Sequence, residues 1–171
     1  MLLLQVVTIF LVSGAMGLAL AHALEYPGKM RLDRENYMTV QGIYYPGFTI
    51  GGGLGEGVGF LATLVLLLLT PRGDPAFWWT VAALIALAGM QAVYWTVTHP
   101  ANRFWVERLP LAKAGRSFFD AGRATQSTVI ENQGQWTRLR QTWEYSHMLR
   151  AALAAISFIS LTIAVATYGR R

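Results

Sequence analysis

Long apolar stretches alternate with shorter polar ones along this chain. Four of the apolar stretches, at residues 2–24, 48–69, 77–97 and 147–168, reach the roughly 20 residues that a helix needs to cross a hydrocarbon core of about 30 Å. Most of the charged residues lie between them. The pattern predicts an all-α fold, in which residues 1–171 form a single transmembrane domain built as an antiparallel four-helix membrane bundle.

The first apolar stretch ends in Ala21-His22-Ala23, which resembles the small-residue cleavage site of a signal peptide. However, no Lys or Arg precedes the stretch, and it is longer than the apolar core of a signal peptide, which has about 7–15 residues. We therefore expect this stretch to be retained as a membrane-spanning helix.

The connections between the stretches predict how the bundle is oriented. Pro71, Gly73 and Pro75 crowd the short connection between the second and third stretches, so these two spans form an antiparallel hairpin. The other two connections, residues 25–47 and 99–146, then lie together on the opposite side. They carry ten Lys and Arg residues, against three in the hairpin connection and at the C-terminus. The positive-inside rule places the long connections in the cytoplasm and both termini outside.

The second long connection is too long to be a structureless loop in a compact protein. Trp136, Leu139, Trp143 and His147 recur near its end at helical spacing. The long cytoplasmic loop is therefore partly helical, and the fourth helix is predicted to begin near Thr128, well before the membrane.

Composition supports a membrane location and narrows the chemistry. Only 13% of the residues are charged, against about 25% in average soluble domains. The chain has no cysteine, which excludes disulfides, iron–sulfur clusters and nucleophilic thiols. The net charge of +5 comes from basic residues beside the apolar stretches, so the positive-inside rule explains it without a nucleic-acid partner. The lipid bilayer is the predicted partner, and the composition is compatible with either a monomer or a homo-oligomer.

Small residues recur at every fourth position in the first two spans. Such stripes let helix backbones approach closely in lipid. We expect these helices to touch along Ser13, Gly17 and Ala21 in the first span and Gly51, Gly55 and Gly59 in the second. The alternative is a glycine-rich phosphate loop, which the lack of a preceding strand and of a Gly-Lys-Ser/Thr ending disfavours.

Polar residues of the spans collect at one end of the predicted bundle, because antiparallel helices bring alternate ends together. All three histidines are among them. Within the fourth helix, spacings of three and four residues place polar groups on one face. The cluster consists of His22, Glu25, Glu56, His99, Asn102, Trp143, Glu144, His147 and Arg150.

Glu56 lies deepest in this cluster. If its helix begins near Phe48, a rise of about 1.5 Å per residue places Glu56 about 12 Å along the axis, beyond easy reach of the interface. A carboxylate at this depth needs a partner or a polar cavity. Arg150, about one turn inside the fourth span, is the predicted counter-ion.

Three interpretations of the cluster stay open from the residues alone. In the first, His and Glu pair with Lys29, Arg140 or Arg150 in a structural network. In the second, Glu144 and His147, in Glu-x-x-His order, belong to a carboxylate-bridged metal site of the kind found in helical bundles. In the third, two histidines hold haem, which is less favoured because they lie at the ends of spans. The cofactor is thus undecided between none and a non-haem metal. The candidate metal ligands are His22, Glu25, Glu56, His99, Glu144 and His147.

Five segments also carry a family resemblance: HALEYPGK at 22–29, VQGIYYPGF at 40–48, GGLGE at 52–56, HPANRFW at 99–105 and RQTWEYSHMLRAAL at 140–153. In this order, over nearly the whole chain, they resemble the bacterial four-helix membrane proteins of the anthrone-oxygenase-like family, a domain whose function is not established. The most specific part is Trp-Glu-x-x-His-x-x-Arg in residues 143–150.

The resemblance implies a bacterial inner-membrane protein that oxygenates a flat, lipophilic phenolic substrate, because fungal relatives are associated with the oxygenation of anthrones to anthraquinones. In such an oxidoreductase, an imidazole would remove a phenolic proton and a guanidinium would hold the resulting anion. The alternative is a non-catalytic membrane subunit or small carrier with a structural polar network. The predicted catalytic residues are His147, His22, Glu56 and Arg150, and the predicted substrate contacts are Asn102, Trp143 and Trp105.

Overall fold

The computed structural model describes residues 1–106 and 133–169, with the backbone alone for residues 45, 46 and 103–106. Four apolar helices in it are long enough to cross a membrane, which confirms the predicted all-α membrane bundle. The proposed start of the fourth helix near Thr128 lies outside the described residues. The elements are α1 Leu2–Lys29, α2 Arg34–Leu69, α3 Ala76–Val93, a π-helical segment Tyr94–Thr98, α4 His99–Val106 and α5 Gln133–Thr167.

The four spans form a ring. α1 packs against α2 and α5, whereas α3 packs against α5 and, less extensively, against α2. α2 and α5 therefore face each other diagonally across the bundle. Large apolar side chains such as Phe10, Leu68 and Ile85 point outwards, while Ala83 and Ala154 are buried. Small residues inside and large apolar residues outside are typical of helices that contact lipid.

α1 and α2 approach each other closely at Gly55. A Cβ atom at this position would lie 3.0 Å from the backbone nitrogen of Ala15 and 3.2 Å from the carbonyl oxygen of Leu11. Gly51 and Gly59, one turn to either side, also face α1. The predicted contact stripe on α2 is confirmed.

The matching stripe predicted on α1 is wrong. Gly17, the middle residue of the predicted Ser13, Gly17 and Ala21 stripe, is exposed, and a Cβ atom there would meet nothing within 4 Å. Leu11 and Ala15 contact α2 instead. The glycines of α2 already provide the space for a close approach, so α1 does not need small residues at every facing position.

The first long connection, predicted at residues 25–47, is mostly helical. α1 continues through Pro27 to Lys29, and α2 begins at Arg34, so only residues 30–33 connect them. The side chain of Asp33 caps α2 by accepting a hydrogen bond of 2.9 Å from a backbone amide of its first turn. The two helices extend together beyond the predicted spans and bring further polar residues to this end of the bundle.

A short turn joins α2 to α3 at the other end of the bundle. Asp74 caps α3, since its Oδ1 accepts a hydrogen bond of 2.9 Å from the backbone nitrogen of Ala76. Its Oδ2 accepts one of 2.9 Å from the backbone nitrogen of Gly169, just after α5. The hairpin turn and the end of α5 therefore lie together, opposite the polar cluster.

The π-helical segment Tyr94–Thr98 interrupts the third span between α3 and α4. A π turn holds one more residue than an α turn, so the side chains after it are rotated relative to those before it. Tyr94, Trp95 and Thr98 line a cavity. α4 then begins at His99, and the predicted third span continues to Asn102.

Candidate functional site

A cavity of about 580 Å³ lies inside the bundle, between α1, α2, α5 and the π-helical segment. All four predicted catalytic residues line it, as do Asn102 and Trp143. Polar groups therefore collect on one part of the cavity surface, and apolar or small residues form much of the remainder. That remainder includes Leu18, Ala19, Phe48, Ile50, Gly52, Gly53, Leu54, Gly57 and Trp95.

Arg150 and Glu56 form an ion pair that joins the diagonal helices α5 and α2. Both side chains are buried. Arg150 also places Nη1 at 3.3 Å from Nε2 of His147 and its guanidinium at 5.1 Å from the ring centroid of Tyr94. Gln91 approaches the other Glu56 oxygen, with Nε2 at 3.5 Å from Oε2. The predicted counter-ion of Glu56 is confirmed.

The tautomer of His147 follows from its two hydrogen bonds. Nδ1 lies 2.9 Å from the carbonyl oxygen of Trp143, which can only accept, so Nδ1 carries the proton. Nε2 then has a lone pair and accepts from Arg150. The ring is thereby fixed in orientation, with its basic nitrogen covered by the guanidinium.

His22 has the opposite arrangement. Its Nδ1 lies 3.4 Å from Nζ of Lys29, and an ammonium group can only donate, so Nδ1 accepts and Nε2 carries the proton. Nε2 has no hydrogen-bond partner among the described residues, and the side chain lines the cavity. The rings of His22 and His147 lie 4.5 Å apart between centroids. His22 therefore presents a free N–H donor to the cavity.

Lys29 is the central residue of the polar network beside the cavity, and it was missed as a site residue in the sequence. Its ammonium group lies 3.5 Å from Glu25 and 3.3 Å from Glu144, in addition to its contact with His22. Glu144 also accepts a hydrogen bond of 2.7 Å from the hydroxyl of Tyr37. The structural interpretation of the sequence, in which interfacial His and Glu pair with Lys29, describes this half of the cluster.

Tyr37 lies in the N-terminal part of α2, outside the membrane spans. Burial raises the pKa of its hydroxyl above the usual value of 10.0, and the neighbouring carboxylate of Glu144 raises it further. The hydroxyl therefore stays protonated at physiological pH and donates to Glu144 throughout. The ring of Tyr37 also packs edge-on against Trp136, with centroids 5.7 Å apart.

The candidate metal ligands are partnered in other ways. The ammonium of Lys29 stands between Glu25, Glu144 and His22, where a metal ion would need to be. The ring of His99 lies 5.1 Å from that of Trp95, and His99 is not part of the cavity lining. Within residues 1–106 and 133–169, no three His or carboxylate side chains are arranged to hold a metal ion. We therefore assign Glu25, Glu144 and His22 to a polar network around Lys29.

The predicted substrate contacts Asn102 and Trp143 are bonded to each other. Trp143 donates from Nε1 to Oδ1 of Asn102 at 2.7 Å, and its ring lies edge-on to His22 with centroids 5.4 Å apart. The amide nitrogen of Asn102 has no partner in the described part of the chain and belongs to a residue of the cavity wall. The side chain of Trp105 lies outside the described residues.

Comparison with known proteins adds no assignment. No protein-family model, curated protein or solved structure matches this chain.

Proposed function

We propose that this protein is a membrane oxygenase or oxidoreductase that acts on a lipophilic aromatic substrate. The observation that carries the proposal is a cavity of about 580 Å³. Its walls are largely apolar, and His22, His147 and Arg150 provide polar groups. A site that binds a small molecule is typically apolar with a few polar groups that fix its orientation. The sequence resemblance supports the same class of substrate.

The polar groups suit an oxygen atom of the substrate that gains negative charge. The N–H of His22 and the amide of Asn102 are free donors, and Arg150 adds a cation. When a phenol binds, Arg150 turns Nη1 from His147 towards the phenolic oxygen. The lone pair on Nε2 of His147 is then free to accept the phenolic proton. The donors stabilise the resulting anion, as in an oxyanion hole.

The oxidation that follows is balanced with dioxygen as the oxidant. For anthrone, deprotonation gives an electron-rich enolate, which forms a C–O bond with dioxygen at the ring methylene carbon and yields a hydroperoxide. Loss of water from the hydroperoxide leaves the second carbonyl group of anthraquinone. One oxygen atom stays in the product and the other leaves in water. In this scheme the side chains move protons and stabilise charge.

A second candidate function is a small carrier or a non-catalytic membrane subunit. The network of Lys29, Glu25, Glu144 and Tyr37 favours it, because these groups are held together by ion pairs and a hydrogen bond of their own. A carrier of this kind would bind the same lipophilic molecule in the cavity and release it unchanged.

Turnover of anthrone distinguishes the two functions. Protein purified into lipid nanodiscs should consume one dioxygen per anthrone and form anthraquinone, followed by an oxygen electrode and by absorbance. Loss of a general base lowers a rate by roughly 10²–10⁴-fold, so His147→Gln should reduce turnover by at least about 100-fold. His99→Gln, a matched change outside the cavity lining, should retain it.

Binding without oxygen uptake in the wild-type protein would favour the carrier, and equal turnover in both His→Gln variants would refute the proposed base. An absorbance spectrum and metal analysis of the same sample would show any haem or iron. Equal melting temperatures of the variants establish that the loss of activity is not a loss of folding.

We also propose that the protein lies in a bacterial inner membrane with its long connections in the cytoplasm. The support is the distribution of Lys and Arg, with ten on one side and three on the other. A phosphatase fused after Arg171 should be active, because the enzyme folds only outside the cytoplasm. A phosphatase inserted at Thr128 should be inactive. The reverse result would invert the orientation.

A further inference from the structure

α2 carries two sets of glycines that face different surroundings. Gly51, Gly55 and Gly59 pack against α1. Gly53 and Gly57 are exposed, and a Cβ atom at either position would meet nothing within 4 Å. Helix packing therefore does not explain the second pair. Glycine inside a helix is less stable than alanine, so this pair costs stability without a packing reason.

Gly53 and Gly57 both line the cavity. The other exposed residues of the cavity wall are Ile50, Leu54 and Trp95, which are 64%, 60% and 52% exposed. All of them belong to α2 or to the π-helical segment, and all lie within the membrane spans Gly47–Leu69 and Ala76–Asn102. The cavity therefore opens sideways, between α2 and the third span, at the level of the lipid.

We propose that this opening is a lateral portal through which a flat, lipophilic molecule with an oxygen acceptor passes from the bilayer into the cavity. The proposal rests on the proposed function for the lipophilic nature of the ligand, and it adds the route and the residues that keep the route open. Gly53 and Gly57 lie on one face of α2 at a spacing of four residues. Because neither has a side chain, nothing projects from this face into the portal.

Two donors at the inner end indicate what the ligand carries. His22 and Asn102 are only 6% and 3% exposed, and His22 Nε2 and the Asn102 amide nitrogen have no hydrogen-bond partner in the described part of the chain. Neither nitrogen is among the fully buried atoms, and both residues line the cavity, so a ligand with an acceptor can reach these unpaired donors. A carbonyl or phenolate oxygen satisfies both donors, whereas a hydrocarbon satisfies neither.

Cysteine labelling tests the route without any turnover. The chain has no cysteine, so Ala19→Cys places a single thiol on the cavity wall, where Ala19 is 7% exposed. N-phenylmaleimide, which dissolves in the bilayer, should add to this thiol in nanodiscs. The charged, water-soluble reagent MTSET should react at least about tenfold more slowly if the opening faces lipid.

Variants at the portal supply the decisive comparison. Gly57→Phe should lower the rate of N-phenylmaleimide addition at least about tenfold, because the ring fills the opening. Gly17→Phe is the matched control on the exposed face of α1 and should leave the rate unchanged. Trp95→Ala widens the opening and should raise the rate of N-phenylmaleimide addition. This variant tests the portal even if Gly57→Phe does not fold.

The nature of the ligand is tested by protection of the same thiol. 9,10-Anthraquinone should slow the labelling, and anthracene, which has the same rings without carbonyl groups, should protect less. His22→Phe, which removes one of the two donors, should reduce the difference between them.

Each outcome decides a separate claim. Equal labelling by MTSET and N-phenylmaleimide, or an unchanged rate in both Gly57→Phe and Trp95→Ala, would overturn the portal. Equal protection by anthraquinone and anthracene would contradict the claim that the ligand carries a hydrogen-bond acceptor. If these tests support the portal but the protein does not oxidise anthrone, the lateral route is retained and the oxygenase proposal is rejected.

Discussion

The ammonium group of Lys29 lies 3.4 Å from Nδ1 of His22, and this contact determines which nitrogen of His22 faces the cavity. Since Lys29 can only donate, His22 presents Nε2–H, whereas His147 carries its proton on Nδ1 because Trp143 offers a carbonyl oxygen. Two neighbouring imidazoles thus adopt opposite tautomers. One supplies a donor to the cavity, and the other holds a basic nitrogen beside Arg150.

This difference predicts a distinct nitrogen-15 spectrum. Of the three histidines in the chain, His22 should show a protonated Nε2 and His147 a protonated Nδ1 at neutral pH, measured by solid-state NMR in lipid. Lys29→Met removes the donor and should change the tautomer population of His22 while leaving that of His147 as it is. His99→Gln assigns the third ring. The same tautomer at His22 and His147 would contradict the hydrogen bonds described above.

The ion pair between Glu56 and Arg150 predicts strong coupling. Arg150→Ala leaves a buried carboxylate without its cation and should destabilise the protein by about 3–5 kcal/mol, as is usual when one partner of a buried pair is removed. Arg150→Ala combined with Glu56→Gln should recover much of this loss. Unfolding free energies in detergent for the wild type, both single variants and the double variant give the interaction energy. A double variant as unstable as the sum of the two single variants would show that the pair is not coupled.

The close approach of α1 and α2 predicts opposite outcomes for two glycines. Gly55→Leu should lower the melting temperature strongly or prevent folding, because a Cβ atom there would already lie 3.0 Å from the backbone nitrogen of Ala15. Gly17→Leu, in open space on α1, should leave the melting temperature close to that of the wild type. Circular dichroism during heating in detergent measures both. Equal stability of the two variants would contradict the contact.

The hydrogen bond from Tyr37 to Glu144 predicts a defined pH dependence. Tyr37→Phe should cost about 1.5–3 kcal/mol at neutral pH, since the acceptor is a buried carboxylate. The pKa of Tyr37 is raised in the folded protein above 10.0, so its contribution is fully present below that value and is lost as pH rises towards the folded pKa. The stability difference between wild type and Tyr37→Phe should therefore be constant from about pH 7 to 9 and shrink at about pH 11.

Tyr44→Phe controls for removal of a hydroxyl from an exposed ring, because Tyr44 is 40% exposed. It should change the unfolding free energy little at any of these pH values. A difference between wild type and Tyr37→Phe that grows above about pH 10 would contradict the direction of the pKa shift.

The sequence predicted the spans and the Glu56–Arg150 pair because both follow from solvation alone. A stretch of about 20 apolar residues is most stable across the hydrocarbon core, and a carboxylate deep in a membrane helix needs a partner or a polar cavity. Arg150 was the candidate at matching depth. No knowledge of side-chain packing was needed for either prediction.

The role of Lys29 could not be predicted in the same way. In the sequence, Lys29 is one of three possible partners of the interfacial His and Glu residues, beside Arg140 and Arg150, and nothing there distinguishes it from the other two. In the structure α1 continues through Pro27 to Lys29. The side chain of Lys29 is only 4% exposed and forms an ion pair with Glu144 of α5.

The polar residues of the cavity could be predicted from the sequence, but its remaining walls could not. Phe48, Gln91 and Tyr94 line it, yet an aromatic ring or an amide near the end of a span is as easily explained by the membrane interface. The π-helical segment that turns Tyr94, Trp95 and Thr98 towards the cavity has no sequence signature in this chain. Only the arrangement of helices reveals these residues as one surface.

The distance in sequence between Glu56 and Arg150, 94 residues, has a consequence for how the protein is made. Ribosomes add roughly 5–20 residues per second, so Arg150 is synthesised roughly 5–19 s after Glu56. During that interval α2 exists with its carboxylate but without the arginine, and α3 is synthesised. Insertion of α5 into the membrane therefore completes the ion pair as well as the bundle, and a nascent chain that stops before α5 leaves Glu56 open to quality control.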